Sequence, residues 1–570
     1  MAHPVARHRE ALTAARSVRG GIALPLISLV PLVFATAVFV WPLGVLVARA
    51  FDDSDGATLA ELWDRTHAWR LLAVTVGQAA GSAVAALVVA APIVWLLSTV
   101  RLPGSGLLRA VVTVPFVLPT VVVGVAFRAL FDGPLAFLEI GQGWTAIIVA
   151  HTFLNVAVVV RVVTAAWQRI DPREIAAART LGASSARAFL DIVLPRLLPA
   201  IASAFALVLL FCSTSFGVIQ ILGGGDASTL ETEIYLQGVG YAKLPDAVAL
   251  SMMQIVLVLA ALGVARIVGP TRVPPSGAGA HLRSPRGGER LVVVGVLAWI
   301  GIWLILPIVT LLIRSLRPGG HWGLAGYRAL ADTTYGPSAY SSLTYSISSG
   351  LLAAAIAMVV GLLTATALTR TGGVIAKVAG TLSVLPLGVS AVTLGFGYVL
   401  ALATVPYEIA ASPLVVPCVQ ALIAIPVVVG VMVPALEQVP DRLRDAAAVL
   451  GAGPLRVFVT VDLRLTARSL AAAAGFAFVM AVGEFGATTF LARADTTTLP
   501  VLIGSLMGRP GADNFAAAMA ASVVLVAVSA AVVAVVETVS SAPGRRALGR
   551  KGLGRKGLGR QAQENRESTC

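Results

Sequence analysis

Long apolar runs separated by short polar connections dominate the chain, and about twelve of them reach the length of roughly 20 residues that a helix needs to cross a bilayer. They fall near 22–49, 71–99, 108–130, 143–165, 189–220 and 244–268, then 291–315, 342–369, 374–402, 410–436, 466–490 and 515–538. The pattern predicts an all-α polytopic membrane protein. A Pro- and Gly-rich polar stretch divides these runs six and six, which gives a first repeat over 1–268, a linker over 269–290, a second repeat over 291–540 and a basic tail over 541–570.

Two polar, charged interruptions, 171–195 and 440–464, stand between the fourth and fifth runs of each half. The first reads DPREIAAARTLGASSARAFLDIVLP and predicts a short helix lying outside the membrane. Asp171 is placed to cap it, Pro172 suits the first helical position, and Glu174 stands where a capping-box carboxylate belongs. Gly182 supplies the stop, and Ser184 is placed to cap the following helix. The small side chains of Ala176, Ala177 and Ala178 leave one face open for another protein.

The second interruption repeats the first. The 269-residue offset from Gly182 to Gly451 also superposes Ser215-Phe216-Gly217 on Glu484-Phe485-Gly486, Thr229-Leu230 on Thr498-Leu499, and His151 on Gln420. Six spans return a chain to its starting side. The two halves are therefore expected to lie parallel, related by a pseudo-two-fold axis along the membrane normal, with a pathway between them. Each half also carries a proline-marked span, with Pro115 and Pro119 in one and Pro386 in the other.

Composition supports this picture and charge orients it. The chain has 570 residues, 57% of them hydrophobic and 12% charged, with a mean hydropathy of +0.89. The net charge of +14 is not spread evenly. Arg7, Arg9, Arg16 and Arg19, Arg101 and Arg109, the linker arginines, the two interruptions and the LGRKG-repeat tail all fall on one side of alternating spans, while Asp52, Asp53, Asp55, Glu61 and Asp64 fall on the other. The positive-inside rule then places both termini and both interruptions in the cytoplasm, and explains the basic charge without nucleic acid. The basic N-terminus followed by an apolar run resembles a signal peptide, but the run is long and no small-residue cleavage site follows, so a retained first span is expected. Cys212, Cys418 and Cys570 make no disulfide framework or metal cluster.

Candidate chemistry is sparse. Glu484 is an intramembrane carboxylate in the outer part of the eleventh span, where function and interhelical hydrogen bonding are both open. Ser215 occupies its place in the first half, and His151 and Gln420 form a second equivalent pair. These four are the candidates for the pathway. No catalytic constellation, phosphate loop or zinc-ligand spacing is present in the sequence, and no metal site or resident cofactor is expected.

The paired interruptions resemble the EAA loop of the permease subunits of bacterial binding-protein-dependent ABC importers. Ala176-Ala177-Ala178, Gly182 and Leu194-Pro195 match in the first half, and Asp445-Ala446-Ala447, Gly451 and Leu463 in the second, where Arg464 replaces the proline. Fused permeases with a six-plus-six arrangement resemble the ferric-iron and thiamine importer group. The resemblance implies a multi-pass protein of the bacterial cell membrane. Two copies of a cytoplasmic ABC ATPase, holding ATP and Mg, would dock on Glu174, Ala176–Ala178, Gly182, Asp445, Ala446, Ala447 and Gly451, and an extracytoplasmic solute-binding protein would deliver the solute. The rival expectation is a secondary transporter of six-plus-six design driven by an ion gradient.

Overall fold

The computed structural model describes residues 23–51, 58–268, 282–285, 287–332, 337–370 and 373–541. The N-terminal arginines, Asp52, Asp53, Asp55, most of the central linker and the basic tail lie outside the described residues. The described chain is a helical membrane bundle. In order, the principal helices are α1 (Ile27–Ala50), α2 (Leu59–Arg65), α3 (Ala68–Thr99), α4 (Ser105–Val117), α5 (Thr120–Phe131), α6 (Trp144–Trp167), α7 (Pro172–Thr180), α8 (Ser185–Ser213), α9 (Gly217–Leu222), α10 (Leu230–Tyr235) and α11 (Leu244–Val264). They continue with α12 (Glu289–Ser315), α13 (Ala339–Arg370), α14 (Val374–Val384), α15 (Ala391–Leu402), α16 (Val415–Glu437), α17 (Asp441–Val449), α18 (Pro454–Leu463), α19 (Ala467–Val482), α20 (Gly486–Leu491), α21 (Leu499–Met507) and α22 (Ala512–Val536).

Among the described residues nine helices are long and apolar enough to cross a membrane, or eleven if each of two bent pairs counts as one span. About twelve spans are expected, and the count among the described residues differs because the backbone breaks within several of the apolar runs. Between α4 and α5 the chain turns by 102°. Leu118 is extended there, as a residue before proline prefers, and Pro119 opens α5. The run at 374–402 is likewise two helices of 11 and 12 residues, parted by a single-turn segment at Leu385–Gly388 that contains Pro386. Ser390 restarts the chain by accepting a hydrogen bond from Thr393 N at 3.0 Å, which satisfies a donor that the break had freed.

The third break has no proline. Helices α18 and α19 meet at 82° around Arg464 and Thr466. In the first half the same region runs on as α8, through a π-helical turn at Phe189–Val193 and past Pro195.

Two buried cores result. One joins α3, α5, α6 and α8 with the first part of α12, and Phe127 packs on Phe153 within it. The other joins α13, α16, α19 and α22 with residues of α5, α10 and α11. The first spans cross over: α1 packs on α13, α14 and α15, with the Tyr398 hydroxyl bonded to Val38 O, while α12 packs on α3, with Trp299 Nε1 bonded to Val89 O at 3.1 Å.

Candidate docking helices and the seam between the halves

The two polar interruptions form short exposed helices that end alike. In α7 the Asp171 side chain accepts from Arg173 N at 2.9 Å, and Ser184 caps the next helix through Arg187 N at 3.2 Å, as expected. The capping box is not formed. Glu174 instead pairs with Arg196 at 2.6 Å, because a guanidinium one helix away competes for its carboxylate. Ala176 and Ala177 are exposed and Ala178 is half-buried; in α17 Asp445 and Ala446 are exposed and Ala447 is half-buried. Each helix stops at a glycine in the left-handed region, Gly182 at φ +89° and Gly451 at φ +84°. Immediately before each glycine stands a leucine in full solvent contact, Leu181 at 89% exposure and Leu450 at 87%. In both helices a large apolar side chain is thus held out by a fixed turn at the equivalent position.

Of the four pathway candidates, Ser215 and Glu484 lie at the two breaks that follow α8 and α19, while His151 lies within α6 and Gln420 within α16. Among the described residues, His151 Nδ1 is 3.2 Å from Gln78 Oε1 and its Nε2 is 2.8 Å from Ser215 Oγ. Gln78 Nε2 already donates to Cys212 O at 2.9 Å, so its Oε1 accepts from Nδ1 and the Ser215 hydroxyl donates to Nε2. Asn155 donates to His151 O and completes the cluster.

Glu484 does the same positional task by another route. It lies beyond the end of α19, at the break rather than within a span, and is 6% exposed. Its carboxylate turns forward to accept from Ala487 N at 2.8 Å and Thr488 N at 2.9 Å, closing the first turn of α20. Gln420 is fully buried but finds no hydrogen-bond partner among the described residues for either end of its carboxamide, so it does not join Glu484 as His151 joins Ser215.

Both breaks present a phenylalanine to the other half. Phe216 and Phe485, equivalent at the 269-residue offset, stack with ring centroids 5.2 Å apart and planes 22° apart. Tyr235 packs on Phe216 and edge-on against Phe490, which in turn meets Phe396. The glycine after each phenylalanine permits this approach. A Cβ on Gly217 would stand 2.5 Å from Thr120 Oγ1 and 3.0 Å from Val121 N, and one on Gly486 2.9 Å from Ala391 Cβ. Gly217→Val should therefore lower the stability of the assembled chain by about 1–3 kcal/mol. Thermal unfolding of detergent-purified protein checks this, and an unshifted midpoint would contradict the close packing.

A second tie across the seam escaped the sequence reading. Glu231, the residue after the repeated Thr229-Leu230 pair, is fully buried. It accepts from Gln254 Nε2 at 2.6 Å and from the Ser390 hydroxyl at 2.5 Å, so one carboxylate joins α10 and α11 to the cap of α15. The repeat itself carried the signal. Leu230 N donates to Thr75 Oγ1 at 3.1 Å and Leu499 N to Ser346 Oγ at 2.7 Å, which fastens α10 to α3 and α21 to α13 in the same way.

Comparison with known proteins agrees with this architecture. Residues 100–273 match the family described as the binding-protein-dependent transport system inner membrane component. The chain is 28% identical over 524 residues to the thiamine transport system permease protein ThiP of Brucella abortus, covering 89% of this chain and 93% of that protein. It is 26% identical over 472 residues to ThiP of Escherichia coli, covering 79% and 86%. A putative 2-aminoethylphosphonate transport system permease protein of Salmonella typhimurium is 25% identical over 260 residues, 42% of this chain and 90% of that one. Residues 100–273 thus carry an inner-membrane component domain of binding-protein-dependent transport systems, and the chain is homologous along most of its length to multi-pass permeases of this kind.

Proposed function

We propose that this permease carries thiamine inward, with α7 and α17 as the two helices on which a separate ATPase docks. The observation that carries the docking assignment is the matched pair of exposed leucines, Leu181 and Leu450, each fixed by a left-handed glycine at equivalent positions. The relatives named above support thiamine over ferric iron as the solute. In this reading residues 1–268 and 291–540 are two permease repeats joined by the 269–290 linker, and both termini and both docking helices face the cytoplasm. Two copies of the ATPase hold ATP and Mg, one against each docking helix, and none is held by this chain. Closure of the ATPase pair moves α7 and α17, and the movement opens or closes the seam at Phe216 and Phe485. A solute-binding protein delivers thiamine to the outer side, between the segments that begin at Gly223 and Ala492. Ser215 with His151 in one half, and Glu484 in the other, hold the breaks that present the two rings, while buried Gln420 remains a candidate to line the pathway.

Reconstitution tests the proposal. Proteoliposomes containing the permease and its ATPase should take up labelled thiamine only with ATP and the binding protein, and excess ferric iron should not compete. Uptake that persists without the ATPase on an imposed ion gradient would overturn it. The double variant L181D/L450D places charge at both leucine positions without touching the core, and should weaken ATPase association by about tenfold or more. Unchanged co-purification of the ATPase would remove these helices as the docking site.

A further inference from the structure

The two docking helices are fastened to the membrane domain by different chemistry. In the second half Arg444, on α17, uses its whole guanidinium: Nε donates to Asp462 Oδ1 at 2.9 Å, one terminal nitrogen to Asp441 at 2.6 Å, and the other to Leu436 O at 2.9 Å. Asp462 is fully buried, and its second oxygen faces the Arg370 guanidinium at the end of α13 as an ion pair without hydrogen-bond geometry. One buried carboxylate thus joins α13, α17 and α18, and Arg444 adds the end of α16. The 82° turn into α19 follows directly.

At the same offset the first half has Ile175 where Arg444 stands and Val193 where Asp462 stands. Helices α3 and α13 both have 32 residues, and Thr99 ends the first as Arg370 ends the second. With α3 and α13 matched at their ends, a register two residues longer that leaves Arg101 beyond the end of α3, all three charged positions are uncharged in the first half. Val193 is buried and Ile175 packs on the same core. The ion pair tying α7 to the membrane domain is Glu174–Arg196, with side chains 37% and 52% exposed.

We propose that Asp462 is a positioning residue that makes the second docking helix a stiff lever on α13, while the first is a compliant one; this rests on α7 and α17 being the ATPase-docking helices. The Arg444–Asp462 bond is charge-assisted and directional, and the Arg370–Asp462 ion pair resists sliding because parting it would leave the buried Asp462 charge uncompensated. An apolar contact is non-directional and tolerates sliding. A buried ion pair is a poor route to net stability and a good route to a single arrangement. Displacement of α17 by the ATPase therefore passes to α13 with little lost, whereas displacement of α7 is partly absorbed at the Ile175–Val193 contact. The two ATPase sites drive the permease unequally.

The test copies the first half into the second. The triple variant R370T/R444I/D462V removes all three charged side chains together and leaves none of the three unpaired. Two measurements are made on the full permease co-purified with its ATPase: cross-linking from L450C to the ATPase, and the distance between spin labels at W69C and Y340C, the exposed outer ends of α3 and α13. In the parent the label distance should switch on trapping with ATP and vanadate. In the triple variant the cross-link should persist while the switched fraction falls about tenfold. A triple variant that cross-links and switches like the parent overturns the lever. Absence of the cross-link in the parent is a different failure, that of the docking assignment. Should the triple variant not assemble, D462N keeps the side-chain shape and removes the charge. It should cross-link normally and lose part of the switching, and full switching in D462N overturns the lever equally.

Discussion

Gly451→Val should abolish thiamine uptake while the permease remains inserted and folded. Gly451 has φ +84° and nothing within 4 Å of an added Cβ, so the substitution meets no steric neighbour, and the whole effect is backbone strain. A β-branched residue in the left-handed region costs about 1–3 kcal/mol. The chain can relieve that cost only by unwinding the end of α17. Unwinding swings Leu450 away from the direction in which the turn holds it, so binding of the ATPase and transmission of its movement fail together. Gly182, at φ +89°, should behave the same way for α7. Uptake by G182V and G451V in ATPase-containing proteoliposomes, normalised to inserted protein, is the measurement. Normal uptake in both variants would remove the turns from the mechanism.

Glu231→Ala should destabilise the contact between the halves more than any exposed substitution can. The carboxylate is fully buried, and its removal strands the Gln254 amide and the Ser390 hydroxyl, at a cost of about 3 kcal/mol. Ser390 also caps α15, so the loss extends to the helix that carries Phe396. The expected result is a lower thermal midpoint in detergent and faster proteolysis across the linker. Glu231→Gln keeps an acceptor oxygen for either partner and should recover most of the stability. An alanine variant as stable as the parent would show that the seam does not depend on this bond.

The sequence made the spans and the docking helices legible because both are local. A run of some 20 apolar residues has few folds available in a bilayer, and a short helix with a capped start and a glycine stop is written in neighbouring positions. The prolines at 119 and 386 marked true breaks for the same reason. What stayed hidden depends on partners far away in the chain. The turn after Asp462 has no proline to announce it, and Asp462 lies 92 positions from the Arg370 that holds it. Glu231 carries no local signal, and its role depends on Ser390, 159 positions on. Glu174 was misread for a related reason, since a local capping rule was overruled by Arg196. The Ser215–His151 contact shows the other side of this. Repeat equivalence picked out both residues, but only tertiary structure pairs them, and it leaves their counterparts Glu484 and Gln420 in separate arrangements.

The crossing of the first spans changes what moves. Because α1 lies against α13, α14 and α15, and the start of α12 lies against α3, each bundle wears the opening helix of the other. A rocking motion cannot take the sequence halves as its two rigid bodies without stripping a helix from each. In such a motion the bodies would be exchanged ones, each carrying at least the start of its neighbour's first span. Tilt of either bundle would then be felt at the chain entry of the other, a mechanical link in addition to the one through the seam.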